Sequence, residues 1–278
     1  MKKILVATDF SANSKAGVRF AIHWATRQKL DLVFVHVLTI LRITSWSDAY
    51  FAIYAAEEEK LCRTKFEKFI ADIYRQMNVK PGKHSYLIVQ GISADSSILD
   101  YCRKNIGIDY ICISTRGAGK LKKIFGTNTG KLITKSEVPV LAVPRNYKVV
   151  DVRRVLYATD LRNYTDEIKK VVAFAQPLKT QIEVVHFTWP DEISLDEKMI
   201  EAAFKKEFKY GLKLYFQKND GTHSLIENLQ NQIKIRKPAV VVMFTNQKRT
   251  FFQKLFLSSK SEELSFEVKV PLLVFNKT

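Results

Sequence analysis

At 278 residues, 46% apolar and 26% charged, the chain has a globular composition and enough length for one large domain or two ordinary ones. The net charge of +17 would suit a polyanion, but the lysines and arginines are scattered and no zinc-finger, RNA-recognition or basic-heptad signature joins them, so nucleic acid is not an expected partner. No apolar run has the length of a membrane span, Asp9 interrupts the first apolar stretch too early for a signal peptide, and Cys62, Cys102 and Cys112 form no CxxC pair; reduced thiols and a cytoplasmic location are expected.

In chain order, Lys3 to Thr8 is a nearly continuous apolar run, the pattern of a parallel strand buried on both faces. Asp9-Phe10-Ser11 ends it, and Ser11 or Ser14 is placed to cap a helix carrying Ala16, Phe20 and Trp24 at four-residue spacing. Leu32 to Leu38 reads as a second buried strand, which completes a right-handed parallel crossover. The stretch from Ile40 to about Tyr54 is irregular and aromatic. A long helix follows over Ala55 to Met77, broken by Pro81-Gly82, then a strand over Ser85 to Gln90 and a helix holding Ile98, Leu99 and Cys102.

The stretch from Asp109 to Pro144 is where the chemistry concentrates. A strand over Tyr110 to Ile113 leads through Ser114, Gly117 and Gly119 to a basic turn, then Gly126-Thr127-Asn128, a short helix and a strand over Val138 to Val143. Glycines let a backbone approach an anion, the Thr127 hydroxyl can cap the next helix, and that helix N-terminus offers unpaired N–H groups; together they read as a phosphate cradle. Tight turns without a ligand use the same residues. The GxxxxGK[ST] loop is not met, because Ser114 stands where Gly is needed and Leu121 where a hydroxyl is needed. Nor is GxGxxG, because Lys122 follows Gly117 and Gly119.

After Pro144 to Asp151 the pattern restarts. Arg153 to Leu161 (RRVLYATDL) echoes Lys2 to Phe10 (KKILVATDF), Ile182 to Phe187 echoes Leu32 to Val37 with His186 in the place of His36, and Pro271 repeats Pro139 at the last strand. The chain is therefore read as two tandem open parallel-sheet α/β domains, Rossmann-like and five-stranded with helices on both faces, over 1–146 and 147–278. The second copy lacks the glycines: Thr245 to Phe252 replaces Ser114 to Gly130, so the fold is expected there without the cradle. His36 and His186, repeated inside apolar strands, read as packed and hydrogen-bonded. His23, His84 and His223 are dispersed and suggest no zinc site, and no GxSxG elbow or Cys–His pair points to hydrolysis.

ILVATDFS near the start, HVL after the second strand, and the glycine loop leading to Gly126-Thr127 and VPVLAVP resemble the universal stress protein family in its tandem form, over nearly the whole chain. Nucleotide-binding members are similar in carrying G-2x-G-9x-G-[ST]; here Ser114 takes the first Gly position, and eight residues separate Gly117 from Gly126. The resemblance implies a cytoplasmic stress-response sensor or adaptor that binds ATP or a related adenine nucleotide, with or without Mg²⁺, in the first domain. Ala7 and Asp9 would lie at the adenine and ribose end, the Val37 backbone would line the base pocket, and Ile113 and Ser114 would sit under the ribose. Gly117, Gly119, Gly126, Thr127 and Asn128 would hold the phosphates. Asp9 has a plainer reading as a strand-end turn residue, and its echo Asp160 one as a helix cap. The resemblance also implies a pseudo-dimer of the two halves, open to further pairing into a homodimer, and an unnamed protein partner. A ligand-free scaffold and a slow ATPase, for which no general base is visible, are the alternatives.

Overall fold

A computed structural model describes residues 2–115, 127–161, 164–188, 196–218, 225–245 and 269–276. These fall into two compact units that meet between Val149 and Val150, against 146/147 in the sequence reading. The first contains β1 (Lys3–Ala7), α1 (Lys15–Gln28), β2 (Asp31–Leu38), α2 (Asp48–Met77), β3 (His84–Gln90), α3 (Ala94–Lys104), β4 (Tyr110–Thr115), α4 (Thr127–Lys135) and β5 (Val140–Pro144). Its strands are all parallel in the order β3-β2-β1-β4-β5. The chain steps outward from β1 in one direction to β3, then crosses to β4 and steps the other way. Right-handed crossovers in opposite directions put helices on opposite faces. Accordingly α1 packs beside α2, and α3 beside α4. Ile4, Leu5 and Val6 in the central strand are fully buried, which is why that run shows no polar alternation.

The second unit contains β6 (Arg154–Thr159), α5 (Tyr164–Ala175), β7 (Gln181–Thr188), α6 (Glu197–Phe208), β8 (Leu212–Lys218), α7 (Leu225–Arg236), β9 (Val240–Thr245) and β10 (Leu272–Asn276), with parallel order β8-β7-β6-β9-β10. The internal repeat extends to single hydrogen bonds. Ile111 N donates to Pro139 O and Val241 N to Pro271 O, both at 2.9 Å. Phe10 and Leu161, each one residue after the repeated Asp, both adopt left-handed backbone (φ 61° and 58°), an uncommon conformation for such side chains.

The structure differs from the sequence reading at several ends. The irregular stretch stops at Ser47, whose Oγ accepts from Tyr50 N at 3.2 Å and starts α2 at Asp48; the aromatics of 46–54 had obscured the helical period. That helix ends at Met77 as expected, stopped by the left-handed Asn78, whose N–H returns to the carbonyls of Tyr74 and Arg75, ahead of Pro81-Gly82. β4 runs on to Thr115, so Ser114 is a strand residue and not part of a loop. β5 begins at Val140 because Ser136 Oγ accepts from Val138 N (3.1 Å) and donates to Val138 O (2.7 Å), holding 136–138 in a turn.

Candidate functional site

Between β1 and β4 the strand order reverses, and open α/β sheets leave a crevice beyond the carboxyl ends of the strands at that place. Here it is a cleft of about 210 Å³. The ends of the two strands supply Ala7, Asp9, Ile113 and Ser114; β2 adds Val35 to Val37; α3 adds Ala94 and Ile98; α4 adds Asn128 and Thr129. Asp95, buried beneath the cleft, ties α3 to α4. It accepts from Ser93 Oγ (2.5 Å) and pairs with Lys131 Nζ (3.4 Å). Burial pushes its carboxyl up, but the Ser93 hydroxyl and the Lys131 charge outweigh this and leave it below the usual range.

The rim is a closed network built by the sequence just after β1. Asp9 Oδ1 accepts from Ser11 N at 3.0 Å and from Ser11 Oγ, the Asx turn of the plainer reading. Ser14 Oγ donates to Ser11 O (2.9 Å), so in its 2.8 Å contact with Thr8 Oγ1 the threonine is the donor. Thr8 Oγ1 in turn accepts from Phe10 N at 3.1 Å. His36 Nδ1 lies 2.8 Å from Thr8 O; a carbonyl only accepts, so the Nδ1–H tautomer is set. Burial lowers the His36 pKa, and its ring stacks on Phe10 with centroids 4.1 Å apart. His186 makes the same bond to Thr159 O at 3.0 Å, so both histidines are packed and hydrogen-bonded as expected.

Ser114, which lines the cleft, also holds the start of α1. Ser14 occupies the N-cap of α1 without capping it through its side chain. Instead Ser114 Oγ, from β4, accepts from Gly17 N at 2.7 Å and donates to Ser14 O at 3.0 Å. Gly17 N is one of the first-turn donors with no partner inside its helix. A Cβ on Gly17 would lie 2.8 Å from Ser114 Oγ and 3.0 Å from Ser114 N, so glycine alone permits this approach. The sequence reading missed Gly17, whose signal was a lone glycine inside an amphipathic helix.

The family model of the universal stress protein family matches residues 1–144. The chain belongs to that family. A curated relative, stress response protein NhaX of Bacillus subtilis, is 28% identical over 162 residues that cover 51% of this chain and 96% of that protein. A universal stress protein from Archaeoglobus fulgidus shares the fold over 99% of this chain and 98% of its own, at TM-score 0.72 and 15% identity. A putative universal stress protein from Pseudomonas aeruginosa does so over 99% and 93%, at TM-score 0.55 and 16% identity.

Within this universal stress protein, the cleft gathers Ala7, Asp9, Val37, Ile113, Ser114 and Asn128 from the residues named in the sequence. Thr127 is the first residue of α4, and not the residue before it; its side chain, and Gly117, Gly119 and Gly126, lie outside the described residues. Among the described residues no group of three or more His, Cys, Asp or Glu could hold a metal ion.

The second unit carries larger side chains at three matching positions. Counting back from the left-handed Lys29 and Lys179 that end the two helical segments sets Glu167 where the first unit has Gly17. Comparing the strand registers makes Phe244 the counterpart of Ser114 and Tyr157 that of Val6. Tyr157, fully buried, donates to the Glu167 carboxylate and contacts Thr159 Oγ1 at 2.9 Å, and Phe244 stacks on Phe275 with centroids 5.0 Å apart. Most of Thr245 to Phe252, the stretch that stands in place of the glycine loop, lies outside the described residues.

Proposed function

We propose that the first unit binds ATP or a related adenine nucleotide and that the chain acts as a cytoplasmic sensor or adaptor whose state follows occupancy. The observation that carries this reading is the cleft at the strand-order reversal. It is walled by Ala7, Val35, Ile98 and Ile113, which suit a base and the apolar side of a ribose, and rimmed by the Asp9 carboxylate, an acceptor for ribose hydroxyls. Residues 116–126 join the end of β4 to the start of α4, so the glycines read as a phosphate cradle belong to the connection between two elements that line the cleft. The N-terminus of α4 adds orphan N–H groups and a partial positive charge favourable to an anionic tail.

Titration with a fluorescent ATP analogue tests the reading. Saturable binding, competed by ATP and lost in Gly117→Val or Gly126→Val with the circular dichroism unchanged, is the expected outcome. Protein recovered free of nucleotide, with no saturable binding and no thermal shift in millimolar ATP, would overturn it. One observation favours a second reading, a ligand-free interaction module: Asp9 and Ser114, two of the polar groups at the cleft, already hydrogen-bond to Ser11, Gly17 and Ser14. The same titration separates the two.

A further inference from the structure

The helix α2 is apolar on two opposite faces. Its inner face buries Ala55, Cys62, Phe66, Ile70 and Ile73, and the helix packs on β2, β3 and α1. Its outer face carries Tyr50, Ile53, Glu57, Leu61, Thr64 and Lys68, at the three- and four-residue spacing of a single stripe. On that stripe Tyr50 is 53%, Ile53 61% and Leu61 66% exposed, whereas a helix that only covers a sheet presents polar residues there.

The charges on α2 separate along its length. From Asp48 to Glu59 the charged residues are Asp48, Glu57, Glu58 and Glu59, all acidic; from Lys60 to Met77 they are Lys60, Arg63, Lys65, Lys68 and Arg75 against Glu67 and Asp72. Compensation of the helix dipole accounts for charges in the first and last turns, here Asp48 and Arg75, but not for three consecutive glutamates in the third turn. On the stripe itself Glu57 stands in the first half and Lys68 in the second, so the stripe is complementary to itself when reversed.

We infer that the outer face of α2 is a self-association surface, which pairs antiparallel with α2 of a second copy across a twofold axis between Leu61 and Thr64. This pairing sets Glu57 of each copy opposite Lys68 of the other. Leu61 meets Thr64, and the Tyr50 ring meets the Arg75 guanidinium, a cation–aromatic contact. Every contact occurs twice, as an isologous interface requires. The inference is independent of nucleotide binding, because none of these residues lines the cleft.

Sedimentation equilibrium on the full chain provides the test. A monomer–dimer equilibrium is expected at micromolar protein, weakened by salt and shifted to monomer by Leu61→Asp. Glu57→Lys or Lys68→Glu alone turns two attractive pairs repulsive and raises the dimer dissociation constant about tenfold or more. The double variant Glu57→Lys/Lys68→Glu restores the dimer, as does mixing the two single variants. All three positions are exposed, so circular dichroism should report an unchanged fold. A chain that stays monomeric at high micromolar protein overturns the inference, as does a dimer that ignores Leu61→Asp or is not restored by the charge swap. Co-sedimentation of the monomer with anionic phosphatidylserine vesicles, lost in Leu61→Asp, would assign the stripe to a membrane surface and overturn it equally.

Discussion

Replacing Ser114 by alanine separates the two roles open to that hydroxyl. In the structure Ser114 Oγ accepts from Gly17 N at 2.7 Å and donates to Ser14 O at 3.0 Å, so it caps α1 from a strand 97 residues away in sequence. Loss of a helix cap costs about 1 kcal/mol, and a partly buried N–H left without an acceptor brings the total to about 1–2 kcal/mol. For a chain of this size that lowers the melting temperature by roughly 2–8 °C. Hydrogen exchange of the α1 amides localises the effect, since a whole-chain melt reports both units: the amides from Gly17 to Ala21 should exchange faster, with those of α5 unchanged. Because the hydroxyl is committed to α1, affinity for the ATP analogue should change less than about threefold, well under the 1.4 kcal/mol of a tenfold effect. A variant with wild-type melting and exchange that has lost nucleotide affinity would refute this reasoning and return Ser114 to the ligand.

Three further outcomes follow from the same geometry. Gly17→Ala should destabilise the first unit although alanine favours helix by about 1 kcal/mol, because a Cβ 3.0 Å from the Ser114 backbone N adds about 1–3 kcal/mol of overpacking; a higher urea midpoint would contradict the close approach. Tyr157→Phe should cost the second unit about 1–3 kcal/mol, since the buried Glu167 carboxylate loses a donor, and urea unfolding monitored by exchange of α5 reads it. Burial lowers the folded-state pKa of His36 from 6.5, so the unfolded chain takes up the proton first as the pH falls. Stability held at neutral pH should therefore decline as the pH drops through 6.5 toward the folded-state value, and His36→Gln should flatten that part of the urea-midpoint profile.

The parallel units were legible because their central strands are buried on both faces, and a strand such as Ile4-Leu5-Val6 must then be apolar at successive positions. The repeat was legible for a related reason: ATD and the strand histidines serve local bonds, His36 to Thr8 and His186 to Thr159, that each copy needs in order to turn out of its first strand. The start of α2 was not legible, because aromatic residues on two faces erase the single-stripe period. Ser114 entered as a site residue through the family resemblance, which sets it under the ribose; its bond to Gly17 could not be read, because nothing in sequence spacing connects residues so far apart.

The order of apolar runs, glycines and prolines determined by itself that the chain folds as two parallel α/β units and that one of them carries a glycine-rich connection after its fourth strand. Such patterns follow from local rules of burial and backbone freedom. Only the tertiary structure decided how Ser114 is used. Its hydroxyl meets Gly17 N and Ser14 O between β4 and α1 in the first unit, whereas the second unit sets the Tyr157 hydroxyl against the Glu167 carboxylate. Which side chains meet is set by packing across the sheet rather than by distance along the chain.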